Sequence, residues 1–278
     1  MRTEIQETEK DILNILLEFK NKVEPLSIKP HLVIIQVNDD EASNAYVRGK
    51  LKDAAEIGIE ATLLKLPKEI SQDELLKVID EQNNDKNVHG LIVQMPLPKQ
   101  INEEIIKLAV NPKKDVDGFH PLSDMSPCTP KGILNYLKNM GETIQGKNAV
   151  VIGRSNIVGK PMAKLLLKES ANVTVLHSKT SPEDMKMYIK HADIIVIAIG
   201  KKYFLNKNDF EFNPNAVVVD VGINRIDGKL YGDAEEDLPV RMKTPVPGGV
   251  GPMTIASLLE NVLECYKVQN KIKDSNAS

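Results

Sequence analysis

The chain has 278 residues, a formal net charge of −3 at pH 7, 4% aromatic residues and no tryptophan. This length allows one large domain or two ordinary domains with an ample core. The slightly acidic balance gives no overall basic surface for nucleic acid or an anionic membrane. The sequence has no run of 18 apolar residues, so it predicts no membrane-spanning helix. We therefore expect neither a nucleic-acid partner nor a membrane partner.

Cysteines and histidines show no metal-binding or disulfide pattern. Cys128 and Cys265 lie far apart, which is typical of two reduced thiols in a cytoplasmic protein. The five histidines have no ligand spacing with one another or with cysteine, so we expect no metal. The charged N-terminal segment lacks a signal-peptide core, and we expect the polar residues 271–278 to fray.

The first 110 residues alternate between helical and extended patterns. The predicted elements are helix 2–22, strand 32–37, helix 42–57, strand 61–66, helix 72–81, strand 88–94 and helix 101–108. Such alternation indicates a parallel sheet of the α/β class. Gln94 ends the third strand, at the sheet edge where ligands bind in open α/β folds.

Two groups of polar residues in this region have more than one interpretation. Tyr46 and Lys50 are four residues apart and share one helix face. Taken alone, the pair is better explained as an exposed aromatic and a solvated lysine. Residues 111–121 have no hydrophobic period and predict a loop, and its acidic residues are compatible with a plain surface loop.

The stretch from 146 to 169 predicts a strand, a glycine turn and a helix. Residues 149–152 form an apolar run, Gly153 ends it, and Gly159 and Pro161 precede the apolar helix positions. A helix that starts after such a turn offers unpaired N–H groups and a positive dipole end to a pyrophosphate. The spacing differs from G-x-G-x-x-G, and glycines required only for packing are the alternative.

The next strand, predicted at 172–176, favours NADP over NAD. It is followed by His177-Ser178-Lys179-Thr180, where an NAD-binding fold usually has an acidic residue for the ribose hydroxyls. Hydroxyl groups and a lysine stand there instead, and Arg154 adds a cation at the same sheet edge. These groups suit a 2′-phosphate. A solvated polar loop is the alternative interpretation.

The remaining pattern continues the α/β alternation. Thr129 is a candidate cap for a helix that starts at Pro130. The other predictions are helix 130–139, strand 192–200, strand 216–224, an irregular proline- and glycine-rich segment 244–252, and helix 253–268.

Six motifs in one order make the sequence recognisable. They are YVRGK (46–50), VQMPLP (93–98), KDVDGFHP (114–121), PCTP (127–130), GRSNIVG (153–159) and TPVPGGVGPMT (244–254). Over about residues 32–266 the chain resembles the bifunctional methylenetetrahydrofolate dehydrogenase/cyclohydrolase (FolD) family. With this resemblance, Tyr46, Lys50 and the acidic loop are interpreted as parts of a functional site and no longer as exposed surface groups.

The resemblance implies an α/β fold of two domains around a cleft, the C-terminal one Rossmann-like. Residues 1–122 with 258–278 would form the folate-binding catalytic domain, and residues 123–257 the NADP-binding domain. A homodimer is implied in the same way. The family commonly has Gly-x-Asp-Pro-Ala-Ser where this chain has residues 38–43, NDDEAS, so the shape of that turn is open.

The resemblance also implies roles for individual residues. Lys50 would be the catalytic lysine, Gln94 its partner, Asp117 the carboxylate that binds the pterin ring, and Tyr46 a residue that stacks on the folate. Further folate-binding positions would be Val93, Met95, Pro247, Gly248 and Gly249. The NADP-binding positions would be Gly153, Arg154, Ser155, Ser178 and Ile223.

The activity implied belongs to tetrahydrofolate one-carbon metabolism. NADP⁺ would oxidise 5,10-methylenetetrahydrofolate to the 5,10-methenyl cation, which water would open to 10-formyltetrahydrofolate. One alternative is a dehydrogenase without useful cyclohydrolase activity. The other is a non-catalytic NADP- or folate-binding sensor. The intact set of Tyr46, Lys50 and Gln94 favours the bifunctional enzyme.

Overall fold

A computed structural model describes residues 2–272. The elements in chain order are α1 Arg2–Val23, β1 His31–Gln36, α2 Glu41–Ile57, β2 Glu60–Lys65, α3 Gln72–Asn84, β3 Gly90–Gln94, α4 Glu103–Ala109, α5 Cys128–Asn139, β4 Asn148–Ile152, α6 Gly159–Lys168, β5 Asn172–Leu176, α7 Pro182–Lys190, β6 Ile194–Ile197, β7 Val217–Asp220, β8 Asn224–Ile226, β9 Lys229–Tyr231, β10 Met242–Lys243 and α8 Val250–Gln269. Most of the C-terminal tail that we expect to fray, residues 273–278, lies outside the described residues.

The chain divides into two compact units. The Lys50 unit comprises Asn14–Cys128 and the segment from Ile255 onwards, and the Gly153 unit comprises Thr129–Thr254 with the segment up to Leu13. Both contain parallel strands and helices, which confirms the predicted α/β class with two domains. The assignment of folate to residues 1–122 with 258–278, and of NADP to 123–257, stays a prediction.

The Lys50 unit is built on a three-stranded parallel sheet in the order β2-β1-β3. The apolar residues of β1 and β3 are buried, as expected for parallel strands covered on both faces. Leu75 and Ile79 of α3 and Ile106 of α4 pack into the same core. The register pairs Gln36 with Gln94, so β1 and β3 end side by side. This places polar carboxyl-end residues at one edge of a rigid sheet.

The Gly153 unit contains a five-stranded parallel sheet in the order β10-β7-β6-β4-β5. The chain leaves β4 for β5 and then returns across β4 to β6. This is the doubly wound 2-1-3-4-5 order, whose switch point lies between the first and third strands. The predicted Rossmann-like character is therefore confirmed. Ligands of such sheets bind outside the carboxyl ends of the strands at this switch point.

Several element boundaries differ from the sequence predictions. α5 starts at Cys128, so Thr129 lies in its first turn and its hydroxyl contacts that of Thr254 at 3.0 Å. α8 starts at Val250, inside the segment predicted as irregular, and the Thr254 hydroxyl donates to the Val250 carbonyl. Helix α7, strand β10 and the β8-β9 hairpin were not predicted.

Strands β6 and β7 are shorter than predicted because their backbone groups find side-chain partners. The N–H groups of Ile199 and Gly200 donate to the carboxylate of Asp233 instead of continuing the β6 ladder. The Gly222 N–H donates to Asp220 at the end of β7. The chain then enters the hairpin rather than extending the strand to 224.

Within the described residues, no helix is both long enough and apolar enough to cross a membrane. Cys128 and Cys265 are both buried, and no disulfide joins them.

Candidate active site

Helix α2 brings Lys50 into the interior of its unit. Its N-cap is Asp40, whose carboxylate accepts the Ser43 N–H at 2.9 Å and fixes the start of the helix. Val47 and Ala54 bury the helix against the sheet. Lys50 is only 8% exposed, so it is not the solvated lysine that the residues alone suggested. Tyr46 lies one turn earlier and is 36% exposed, which leaves its ring partly available.

The end of strand β3 supplies the partner of this lysine. The Lys50 ammonium donates to Gln94 Oε1 at 2.9 Å. Gln94 Nε2 donates to the Met95 carbonyl at 2.8 Å. Both contacts require the same orientation of the amide, since an ammonium needs an acceptor and a carbonyl needs a donor. The predicted pair is therefore in direct contact, with its geometry fixed from both sides.

The acidic loop after α4 is ordered by Asp115. Its carboxylate accepts the Gly118 N–H at 3.1 Å and the His120 N–H at 2.8 Å. Gly118 has φ +70°, and a Cβ there would lie 2.6 Å from the Ser126 carbonyl carbon, so only glycine fits. The prediction of a loop is confirmed. Its two acids differ, because Asp115 holds the backbone while Asp117 lies near Lys50.

Burial shifts the acid–base behaviour of both groups. Burial lowers the pKa of Lys50, and the charges of Asp117 and Cys128 oppose this shift. Burial raises the pKa of Asp117 to about 6, while the Lys50 charge opposes the rise and the Asp115 charge adds to it. A lysine whose ammonium is destabilised in this way is a better base near neutral pH than an exposed lysine.

A small cavity of about 20 Å³ adjoins Asp117. Its lining includes Val93, Met95 and Asp117, three of the residues predicted to bind folate, together with Lys107 and Phe119. The Lys107 ammonium lies 5.8 Å from the centre of the Phe119 ring, and its charge acts on Asp117. Sequence reasoning did not single out Lys107. Its position in a short amphipathic helix gave no signal.

Cys128 was also missed as a member of this cluster. Its thiol donates to the Val116 carbonyl at 3.1 Å and lies 4.0 Å from Asp117 Oδ1. The amide of Asn261 on α8 donates to the same Val116 carbonyl at 2.9 Å. The spacing of the cysteines gave no indication of this position, whereas the PCTP motif that supports the family resemblance includes Cys128.

In the Gly153 unit, the turn after β4 requires its glycines for packing. Gly153 has φ +121°, and a Cβ there would lie 2.5 Å from the Ala198 carbonyl oxygen. A Cβ on Gly159 would overlap the Gly153 carbonyl. The turn and the helix therefore approach each other as closely as backbone allows. This close packing is compatible with ligand binding at the same edge, so the glycines do not favour the packing-only alternative over cofactor binding.

The start of α6 differs from the expectation of unpaired N–H groups. Ser155 Oγ accepts the N–H groups of Val158 at 3.1 Å and Gly159 at 3.3 Å, and the Ser155 carbonyl accepts that of Lys160. These first-turn donors thus have partners within the chain. The Ser155 hydroxyl hydrogen is still available for donation, because the oxygen uses its lone pairs for the helix.

The cationic and hydroxyl groups predicted to favour NADP lie on neighbouring strand ends. Strands β4 and β5 pair Ile152 with Leu176, and the next residues lead to the exposed Arg154 and Ser178. A guanidinium and hydroxyl donors fit a phosphate dianion, and residues 177–180 contain no acid. The donor set present therefore fits the 2′-phosphate of NADP.

The other predicted binding residues of this unit lie on loops. Ile223 follows β7 and is 54% exposed. Pro247, Gly248 and Gly249 lie between β10 and α8, where Gly248 has φ +97° and a Cβ on Gly249 would lie 2.5 Å from the Pro245 carbonyl oxygen. The ligand contacts of these four residues stay predictions.

Comparison with known families covers almost the whole chain. Residues 4–117 match the catalytic domain of tetrahydrofolate dehydrogenase/cyclohydrolase, and residues 127–270 match its NAD(P)-binding domain. The chain belongs to the tetrahydrofolate dehydrogenase/cyclohydrolase family. The second match includes α8.

Individual members of the tetrahydrofolate dehydrogenase/cyclohydrolase family agree over the same length. Bifunctional protein FolD of Oceanobacillus iheyensis is 47% identical over 275 residues, covering 92% of this chain and 95% of its own. The structure of bifunctional FolD from Campylobacter jejuni is 40% identical with a TM-score of 0.87, covering 97% and 98% of the chains. FolD of Trypanosoma brucei, solved with NADP cofactor and inhibitor, is 31% identical with a TM-score of 0.86, covering 94% and 96%.

Proposed function

We propose that this chain is a bifunctional enzyme of tetrahydrofolate one-carbon metabolism. It oxidises 5,10-methylenetetrahydrofolate with NADP⁺ and then hydrolyses the 5,10-methenyl product to 10-formyltetrahydrofolate. The observation that carries this proposal is the buried Lys50, held 2.9 Å from the neutral amide of Gln94 and close to Asp117, in a chain of this family.

In the first reaction bound NADP⁺ would supply the hydride acceptor for the one-carbon bridge of the folate. The protein binds and orients, because the cofactor performs the redox chemistry. Arg154, Ser155 and Ser178 would hold the 2′-phosphate, and Ile223 would line the cofactor site. The exposure and donor chemistry of these groups support the assignment, as does the NADP complex of the Trypanosoma brucei relative.

In the second reaction water attacks the methenyl carbon and Lys50 takes and returns the proton. Burial lowers the pKa of Lys50, and a cationic substrate beside it lowers that pKa further. Gln94 orients the amine without adding a negative charge, which would raise the lysine pKa. Asp117 accepts paired hydrogen bonds from the aminopyrimidine edge of the pterin, and Tyr46 stacks on the folate.

The test is an absorbance assay of purified enzyme with methylenetetrahydrofolate and NADP⁺, repeated with NAD⁺. The proposal expects NADPH formation with little accumulation of the methenyl compound. Persistent methenyl accumulation would instead favour a monofunctional dehydrogenase. Absence of reduction with either cofactor would rule out the enzyme and leave a binding protein.

We also propose that the enzyme is a cytoplasmic homodimer. The dimer rests on the family resemblance, and two buried cysteines without a disulfide suit a reducing compartment. Light scattering after size-exclusion chromatography tests the dimer, since one chain has a mass of 30.9 kDa. A monomer at working concentration would contradict it.

A further inference from the structure

Asp233 is fully buried in the Gly153 unit and accepts four hydrogen bonds. Its Oδ2 accepts the N–H groups of Ile199 at 2.8 Å and Gly200 at 2.9 Å. Its Oδ1 accepts the N–H of Lys201 at 2.7 Å and the side-chain amide of Asn224 at 2.9 Å. All four donors are uncharged N–H groups. The carboxylate thus joins the loop after β6 to the β8-β9 hairpin.

A second buried carboxylate, Asp220, continues this connection at the end of β7. It accepts the N–H groups of Gly222 at 3.0 Å, Asp233 at 3.0 Å and Ala234 at 2.8 Å. Its own N–H donates to the Thr244 hydroxyl at 2.9 Å. Asp220 therefore fixes the backbone that carries Asp233.

The surrounding backbone leaves no room for the two carboxylates to move. A Cβ added to Gly222 would overlap the carboxylate of Asp233, and a Cβ added to Gly232 would overlap that of Asp220. These contacts hold two loops at the carboxyl ends of β6 and β7, where ligands bind in this fold. Ile223, between Gly222 and Asn224, lies within the held segment.

We propose that Asp233 is a positioning residue for the cofactor, acting through the loop of residues 199–201 and through Asn224 to set Ile223. The inference rests on the proposed function, because it assumes that NADP⁺ binds at this edge. Asp233 has no contact with the cofactor in this proposal. Its role is to keep the cofactor-facing backbone in one arrangement.

The variant Asp233→Asn tests this with little change in volume. An amide accepts through one oxygen only, so its NH₂ would face two N–H donors in place of an acceptor. We expect the Kd of NADP⁺, measured by calorimetry, to rise about 10- to 100-fold, the change expected when two buried hydrogen bonds that hold the site are lost. Amide exchange of Ile199, Gly200 and Lys201 should accelerate. Hydrolysis of methenyltetrahydrofolate without NADP should stay within about twofold, because Lys50 and Gln94 are unchanged.

Asp193→Asn is the matched control. Asp193 accepts the Asn148 N–H at 2.9 Å and the Asn213 amide at 3.3 Å, at the amino-terminal edge of the same sheet. It should lower stability without changing the Kd of NADP⁺. Equal weakening of NADP⁺ binding by both variants would mean that Asp233 is merely structural and would overturn the inference.

Asn224→Ala is the second variant, in case Asp233→Asn does not fold. It removes one of the four donors and should raise the Kd of NADP⁺ about three- to tenfold, a loss typical of one hydrogen bond. An unchanged Kd in either folded variant would contradict the proposal. Failure of the proposed function would be distinguishable, because the wild-type protein itself would then give no turnover.

Discussion

At the scale of single residues, the proposed chemistry depends on where one lysine lies. An exposed lysine has a pKa of ~10.4 and is a poor base at pH 7. Lys50 is buried, and burial lowers its pKa. The carboxylate of Asp117 opposes this shift, and its own pKa is raised to about 6 by burial. Burial thus destabilises the charged form of both groups.

We predict that Lys50→Met abolishes cyclohydrolase activity. Loss of the general acid–base group should lower kcat by about 10²- to 10⁴-fold. The measurement is the decay of methenyltetrahydrofolate absorbance. Lys52→Met is the control, since Lys52 lies on the same helix in an exposed ion pair with Glu56. If Lys50→Met kept the wild-type rate, the role assigned to Lys50 would be wrong.

We predict that Gln94→Glu moves the pH–rate profile of the cyclohydrolase to higher pH. The rate rises as Lys50 loses its proton, and a carboxylate in place of the amide raises the lysine pKa. The rising limb should shift upward by about one pH unit or more. Gln100→Glu is the control, because it adds the same charge at an exposed position. A profile that does not shift, or one that shifts equally in the control, would contradict the pairing.

The sequence predicts the candidate site residues but not the groups that surround them. Tyr46 and Lys50 could be placed on one helix face from spacing alone. The partner of the buried Lys50 is Gln94, which is 44 residues away in sequence and lies at the end of β3. Cys128 acts on Lys50 and Lys107 acts on Asp117 through space, and no local pattern encodes such long-range proximity.

At the scale of elements, the turn before α2 shows how a cap survives sequence change. The glycine and proline common in the family are replaced by Asn38 and Glu41. Asp40 nevertheless has extended geometry, with φ −72° and ψ 134°, and caps the helix through the Ser43 N–H. Asn38 adds a hydrogen bond of 2.6 Å to the Pro96 carbonyl after β3. The turn is thus held by side chains.

We predict that Asp40→Ala destabilises the Lys50 unit by about 1 kcal/mol, the usual cost of losing an N-cap. Asp40→Asn should cost only a few tenths of that value, since asparagine also caps well. Native-state hydrogen exchange of the amides of the Lys50 unit measures both. Equal stability of the alanine variant and the wild type would show that the cap does not fix α2.

The elements that could be predicted from sequence are those whose local pattern agrees with their burial. Strands with continuous apolar runs and helices with clear periods were found, because local pattern and burial agree there. Strands β6 and β7 end early because the buried carboxylates of Asp233 and Asp220 take their backbone N–H groups. The apolar sequence after β6 continues through Ala198 and Ile199 and gives no sign of this. Strand β10 has only two residues, too few for any periodicity.

At the scale of the whole molecule, two units imply two partly independent responses to ligand. A single two-state unfolding free energy is not defined for such a chain. A ligand stabilises the unit that binds it, by about 2.7 kcal/mol at a concentration of 100 times its Kd. NADP⁺ should therefore protect the amides of the Gly153 unit more than those of the Lys50 unit.

We predict that NADP⁺ raises the unfolding temperature of the Gly153 unit and that NAD⁺ at equal concentration raises it less. The reason is the guanidinium of Arg154 and the hydroxyl of Ser178, which fit a 2′-phosphate. Arg154→Ala should remove most of the difference between the two cofactors. The control variant is Lys160→Ala, which removes an exposed cation that donates a hydrogen bond to Asn156. Calorimetry with hydrogen exchange assigns each transition to its unit. Equal shifts with both cofactors in the wild type would contradict the NADP preference, because a 2′-phosphate that gains no contact adds no stability.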